Sequence, residues 1–210
     1  MLYQEDKPMK LIVITNERIL DYEGSILSNL FDEGLETLHL RKLIATEGEI
    51  IHLIEQIPVK YHKRIVLHDH YNILKYFDLN GIHLNRRNPI PPSIEVASVS
   101  RSCHSFECIK ASMNNHNYMF LSPIFDSISK SGYNHAFTKE ELLEAKLNCI
   151  INKKVIALGG ICKETIPIAS EYGFGGVAVL GAIWGNYYQD RDENALLRRF
   201  SDLSKIVSKL

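Results

Sequence analysis

Several features are missing from this chain of 210 residues, and each absence narrows its role. No apolar run approaches the length of a membrane span, so no membrane role is expected. The stretch from Met1 to Lys10 carries acids and a proline where a signal peptide would carry an apolar core. The four cysteines, Cys103, Cys108, Cys149 and Cys162, show neither CxxC spacing nor the density of a disulfide-stapled domain. That usage points to a reducing compartment, and a cytoplasmic protein is expected. Neither sign of charge dominates: 24 Lys and Arg face 25 Asp and Glu, a formal net charge of −1 that argues against a nucleic-acid or membrane-surface partner. What remains, 45% hydrophobic and 23% charged, is the composition of an ordinary globular domain.

Short apolar runs alternate with helical patterns along the whole chain. Strands are expected at Leu11–Ile14, Thr37–Leu40, Arg64–Leu67, Gly81–Leu84, Glu95–Val99, Tyr118–Leu121, Val155–Leu158 and Gly176–Leu180. Helices are expected at about Ser25–Glu33, Glu47–Gln56 (stopped by Pro58), Tyr71–Phe77, Ser105–Met113, Thr138–Asn148, Lys163–Tyr172 and Glu193–Lys209. Ser105 and Thr138 are the expected N-caps. Unalternated apolar runs suit parallel strands buried on both faces. Eight strand–helix units without a linker point to a single α/β domain over residues 1–210, a (β/α)8 TIM barrel. An open doubly wound sheet shares this local signature, but no GxGxxG fingerprint follows the first strand.

Two segments suggest a phosphate ligand. The strand Tyr118–Leu121 runs into Ser122-Pro123-Ile124-Phe125-Asp126-Ser127-Ile128-Ser129-Lys130, where hydroxyls, backbone N–H groups and an ammonium can replace the water around an anion. A solvated Ser-rich loop explains that segment equally well. The last two strands end in Gly159-Gly160 and Gly181-Ala182, which let the backbone approach a ligand closely or simply turn tightly. In a barrel, the polar residues Arg41, His68, Asp69, His83, Asn85, Arg86, Ser100–His104 and Ser127–Lys130 would converge on one rim.

Ordered motifs then carry a resemblance over Leu11–Ile183 to the family of thiamine phosphate synthases and thiazole tautomerases. His39-Leu40-Arg41-Lys42-Leu43 stands at the family's Gln-x-Arg-x-Lys, and His68-Asp69 at its Asn-Asp. Gly81-Ile82-His83-Leu84-Asn85-Arg86-Arg87-Asn88 is similar to Gly-Val-His-Leu-Gly-Gln-x-Asp, and Ser102-Cys103-His104 to Ser-x-His. The Ser122–Lys130 segment resembles Gly-Pro-Ile-Phe-x-Thr-x-Thr-Lys, with Ser127 and Ser129 for the threonines. Gly159-Gly160-Ile161 and Gly176–Leu180 complete the set. The resemblance implies a transferase that joins hydroxymethylpyrimidine diphosphate to thiazole phosphate and releases pyrophosphate. It implies Arg41, Ser127, Ser129 and Lys130 on pyrophosphate, Mg2+ at Asp69, and the backbone of Gly160, Leu180 and Gly181 on thiazole phosphate. His39, His68, His83, Arg86, Ser102 and His104 are the further candidate substrate contacts. The implied partners are small phosphorylated molecules, and a homodimer stays open.

Departures from the pattern keep other readings alive. Leu43 stands at a pyrophosphate lysine, and the adjacent Lys42 faces the other way on a strand. Asn88 replaces the second Mg2+ aspartate, and an amide is a poor ligand for a hard cation. Arg86 is expected to replace part of the missing counter-charge. Loss of metal ligands raises a tautomerase, which transfers protons without metal, although Pro123 stands where a tautomerase carries its histidine. A non-catalytic thiazole-phosphate-binding barrel is the third reading. Zinc at His68-Asp69-His70 is disfavoured, because successive side chains point apart and no Cys/His framework completes the set.

Overall fold

The computed structural model describes residues 8–126 and 136–210. Ser127, Ser129 and Lys130 lie outside the described residues. Among those described, the chain runs β1 (Lys10–Ile14), α1 (Glu23–Asp32), β2 (Thr37–Leu40), α2 (Glu47–Glu55), β3 (Ile65–Leu67), β4 (Gly81–Leu84), β5 (Ser98–Cys103), α3 (Phe106–Ser112), β6 (Tyr118–Leu121), α4 (Lys139–Leu147), β7 (Val155–Leu158), α5 (Ile166–Glu171), β8 (Gly176–Val179), α6 (Gly181–Trp184), α7 (Tyr187–Asp190) and α8 (Glu193–Val207). Two 3-10 turns, Val59–Arg64 and Tyr71–Lys75, flank β3. All neighbouring strands pair in parallel, and β8 closes on β1, which makes the expected (β/α)8 barrel.

Alternation within each strand splits the core into two layers. Ile12, Ile14, Tyr118, Phe120, Ile156 and Ala178 pack inside the barrel. Val13, Leu38, Met119 and Val177 face outward against helix residues such as Leu27, Leu53 and Phe200. The helices form where capping and spacing agree. Thr46 with Glu49 and Thr138 with Glu141 make capping boxes, and Ser105 caps α3 as expected. On α8, Leu196, Phe200, Leu203 and Val207 fall on one buried face at helical spacing.

Three expectations need correction. The third strand is followed only by a 3-10 turn, and no helix is assigned between β4 and β5, where Pro89, Pro91 and Pro92 crowd the connection. β5 starts at Ser98, not Glu95. Its inward serines hide it from a hydrophobic reading, because Ser100 and Ser102 are satisfied by His83 on the neighbouring strand β4. Cys103 and Cys108 are paired as a disulfide between β5 and α3, a pairing their spacing did not announce, while Cys149 and Cys162 are free. No described helix is long and apolar enough to cross a membrane.

Trp184 packs beneath the mouth of the barrel. It is buried, its indole N–H donates to the Ile14 carbonyl at 2.8 Å, and Tyr187 lies edge-on to it. Arg199 donates to the Ile183 carbonyl at 2.7 Å, so it satisfies a helix end and is no mere surface charge.

Candidate active site

Parallel register brings three histidines together inside the barrel. His39 is level with Ile14 and Val66, and His83 is level with Ser100, itself level with Tyr118. His68, just beyond β3, turns inward above them. All three rings are buried. His39 Nδ1 lies 2.9 Å from His68 Nε2, and His39 Nε2 lies 2.6 Å from the Tyr118 hydroxyl. His83 meets Ser100 Oγ through Nδ1 at 2.9 Å and Ser102 Oγ through Nε2 at 2.8 Å. Phe120 stacks on His39 and tilts against His83. Burial holds His39 and His68 well below the usual imidazole range, with neighbouring His83 adding to the depression of both. Burial first, then the nearby Arg41, pushes His83 down to about 3. The three are therefore neutral at pH 7, bases and hydrogen-bonding groups rather than fixed cations.

The rim above is cationic but partly neutralised. Arg41 pairs with Glu17 at 2.9 Å, and its backbone N–H donates to the buried Thr15 hydroxyl. Asp69 accepts from Arg87 Nη2 at 3.1 and 3.2 Å and from Asn88 Nδ2 at 2.7 Å. Asn85 and Asn88 both donate to the His68 carbonyl, which fixes the turn between the two motifs. Arg86 is exposed, and no ion pair joins it to another described residue. Of the two neighbouring arginines, Arg87 and not Arg86 reaches Asp69. Residues in this irregular turn have no periodicity from which their direction could be read.

Opposite this rim, β6 and β7 are strapped together. The Ile124 N–H donates to the Leu158 carbonyl and the Phe125 N–H to the Gly159 carbonyl. His104, exposed, meets the Ser122 carbonyl at 2.9 Å. A cavity of about 400 Å3 lies alongside, lined by Phe125, Asp126, Phe137, Gly160, Cys162 and Thr165. Gly160 has φ +63°, and a Cβ there would collide with the Asp126 carbonyl and the Phe125 backbone. Gly160→Ala should therefore cost about 1–3 kcal/mol through left-handed strain and forced displacement of the strap. Thermal unfolding checks this, and an unchanged midpoint would mean the strap yields freely. Leu180 and Gly181 begin α6 at the adjacent strand end, where the N–H groups of a first helical turn have no intrahelical acceptor.

The other candidates separate. Lys42, just past the end of β2, is buried against Glu23 at 2.5 Å and is not exposed at the site. His70 leaves the barrel, its Nε2 3.1 Å from the Ala45 carbonyl, which ends any zinc site shared with His68 and Asp69. Sequence reasoning missed Tyr118, Glu17 and Arg87. Tyr118 was within reach, since it falls two residues before Phe120 and so shares its inward face. Glu17 lies in a loop and offered no signal.

The comparisons agree with this architecture. The family model described as thiamine monophosphate synthase matches residues 11–183. A solved structure titled thiamine phosphate pyrophosphorylase, from Bacteroides thetaiotaomicron, is similar at 41% identity with a TM-score of 0.86, covering 94% of this chain and 97% of that one. The thiamine-phosphate synthase of Limosilactobacillus reuteri is 24% identical over 148 residues, 67% of this chain and 66% of that protein. The thiamine-phosphate synthase of Shouchella clausii is 22% identical over 190 residues, 84% of this chain and 89% of the other. With eight parallel strands closed into a barrel and a family match spanning most of its length, this chain belongs to the thiamine monophosphate synthase family.

Proposed function

We propose that the chain, as one barrel domain over residues 1–210, couples hydroxymethylpyrimidine diphosphate to thiazole phosphate and releases pyrophosphate. It is then a transferase of thiamine biosynthesis. The observation that carries this reading is the family match over residues 11–183, which includes the strap of Ile124 and Phe125 on Leu158 and Gly159 beside Gly160. As the bond to pyrophosphate breaks, negative charge grows on its oxygens and positive charge on the pyrimidine methylene. Groups that meet the departing oxygens more strongly than the bound substrate lower the barrier. Arg41 is positioned for that role at the rim, and Ser127, Ser129 and Lys130 are assigned to it by resemblance. The backbone near Gly160, Leu180 and Gly181 would receive thiazole phosphate, whose ring nitrogen attacks without a strong base.

The family generally uses Mg2+. Here the fit is poor: the carboxylate at the site, Asp69, is already held through both oxygens by Arg87, and Asn88 gives it an N–H. A hard cation needs free oxygen ligands, and this turn commits its carboxylate to an arginine and an amide instead. Arg87 and Arg41 supply the counter-charge instead. Turnover is expected to survive excess EDTA and to fall in Arg87→Ala. Strict Mg2+ dependence, with the Arg87 variant unaffected, would remove Arg87 from this role.

The testing experiment is chromatographic product analysis after mixing the protein with both substrates. Thiamine phosphate formed over many turnovers is the expected result, with Lys130→Ala losing turnover far more than stability. One observation favours a second reading, an isomerase of a thiazole carboxylate phosphate: the neutral His39–His68 pair at 2.9 Å suits proton transfer. No product, together with tight thiazole phosphate binding, would transfer the assignment to that isomerase or to a binding barrel.

A further inference from the structure

We propose that His39, His68 and His83 form a binding site for a single first-row transition metal ion, Zn2+ or Co2+ in class, inside the barrel. Their ligand nitrogens lie within 4.8 Å of one another, and all three residues are buried. A tetrahedral ion at about 2.0–2.1 Å from each nitrogen needs them about 3.3 Å apart. His39 Nδ1 and His68 Nε2, now at 2.9 Å, need only part slightly. His83 stacks on His68 with ring centroids 4.4 Å apart, so it must rotate and release one of its two serines to point at the ion.

The surroundings are arranged as a metal's outer layer would be. A histidine ligand uses one nitrogen for the ion and donates from the other, which fixes ring and tautomer. His39 has that partner in Tyr118 at 2.6 Å, and His83 retains one in the remaining serine. In the metal-free pair, one ring donates to the other. Binding needs His39 Nδ1 unprotonated, so the His39 proton sits on Nε2, toward Tyr118; the imidazole stays neutral, and the ion's two positive charges are shared with its fourth ligand. Asn85, bonded to the His68 carbonyl at 2.8 Å, holds the backbone that presents the third ring. Phe120 provides an apolar wall. Three neutral imidazoles select Zn2+, Co2+ or Cu2+ over Mg2+, and three protein ligands leave a fourth position for water or a substrate heteroatom. This site is separate from Asp69 and does not depend on the proposed coupling reaction.

The test is titration of chelator-stripped protein with Co2+ alone. One equivalent should bind, with the intense visible absorption of tetrahedral cobalt, and Zn2+ but not Mg2+ should abolish the bands. His39→Gln and His68→Asn are expected to weaken binding by about 100-fold or more, and Tyr118→Phe by about 10-fold. Proton NMR of the cobalt-loaded wild-type protein should show three paramagnetically shifted imidazole N–H signals, a result that needs no variant to fold. No stoichiometric uptake, fewer than three shifted signals, or undiminished binding in both histidine variants would each overturn the site.

Discussion

Replacing Lys42 with methionine should destabilise the protein by about 3–5 kcal/mol, the loss typical when one partner of a buried ion pair is removed. Lys42 spends all three ammonium donors internally: on Glu23 at 2.5 Å, on the Asn16 carbonyl at 2.9 Å and on the Arg18 carbonyl at 2.8 Å. Neither charged side chain is exposed. Burial pushes the Glu23 carboxyl up and the Lys42 ammonium down, and their mutual attraction offsets only part of each shift. Methionine matches the length of the stem but leaves buried Glu23 without a counter-charge and two loop carbonyls without their ammonium donor. Urea unfolding measures the loss. The double variant Lys42→Met with Glu23→Leu should recover much of it, because no orphaned charge remains. A single variant within about 1 kcal/mol of wild type would mean the pair is dispensable. Turnover should suffer too. The anchored carbonyls flank Glu17, which orients Arg41, so loosening this loop frees the rim arginine.

That buried lysine illustrates which parts of the molecule could be read in advance. Neighbouring residues diverge, as expected of Arg41 and Lys42: Arg41 is partly exposed and pairs with Glu17, while Lys42 is buried against Glu23. Continuous apolar runs such as Val155–Leu158 announce parallel strands, since both faces must be dry. β5 escaped a correct start because its serines are satisfied by His83, a partner visible only once β4 and β5 pair in register. The histidine array escaped for the same reason. His39, His68 and His83 each look like an ordinary packed histidine, and parallel register, not sequence spacing, makes them neighbours. Arg86 and Arg87 stand next to each other in an irregular turn, where no period tells which will reach Asp69. The serines and lysine after Asp126 lie outside the described residues, and their roles rest on resemblance.

The metal-free protein is expected to lose stability steeply as pH falls below about 6.5, the usual imidazole value. His39, His68 and His83 have depressed values in the folded state, with His83 near 3. Once unfolded, each takes up a proton near 6.5, while the folded barrel refuses it, so acid favours the unfolded chain. The stabilisation is fully present above the unfolded value and is lost as pH falls toward the folded values. Each group contributes a slope of about 1.4 kcal/mol per pH unit, and the three together reach about 4 kcal/mol per unit. Arg41, Arg87, Arg101 and His116 face this cluster and make its protonation costlier still. Urea midpoints should therefore drop sharply between about pH 7 and pH 5 in the presence of chelator. The double variant His39→Gln with His68→Asn removes two of the three groups and should leave about one third of the slope. Parallel curves for wild type and double variant would show that the array is not what limits stability in acid. Zinc, bound only by unprotonated rings, should shift the fall to lower pH.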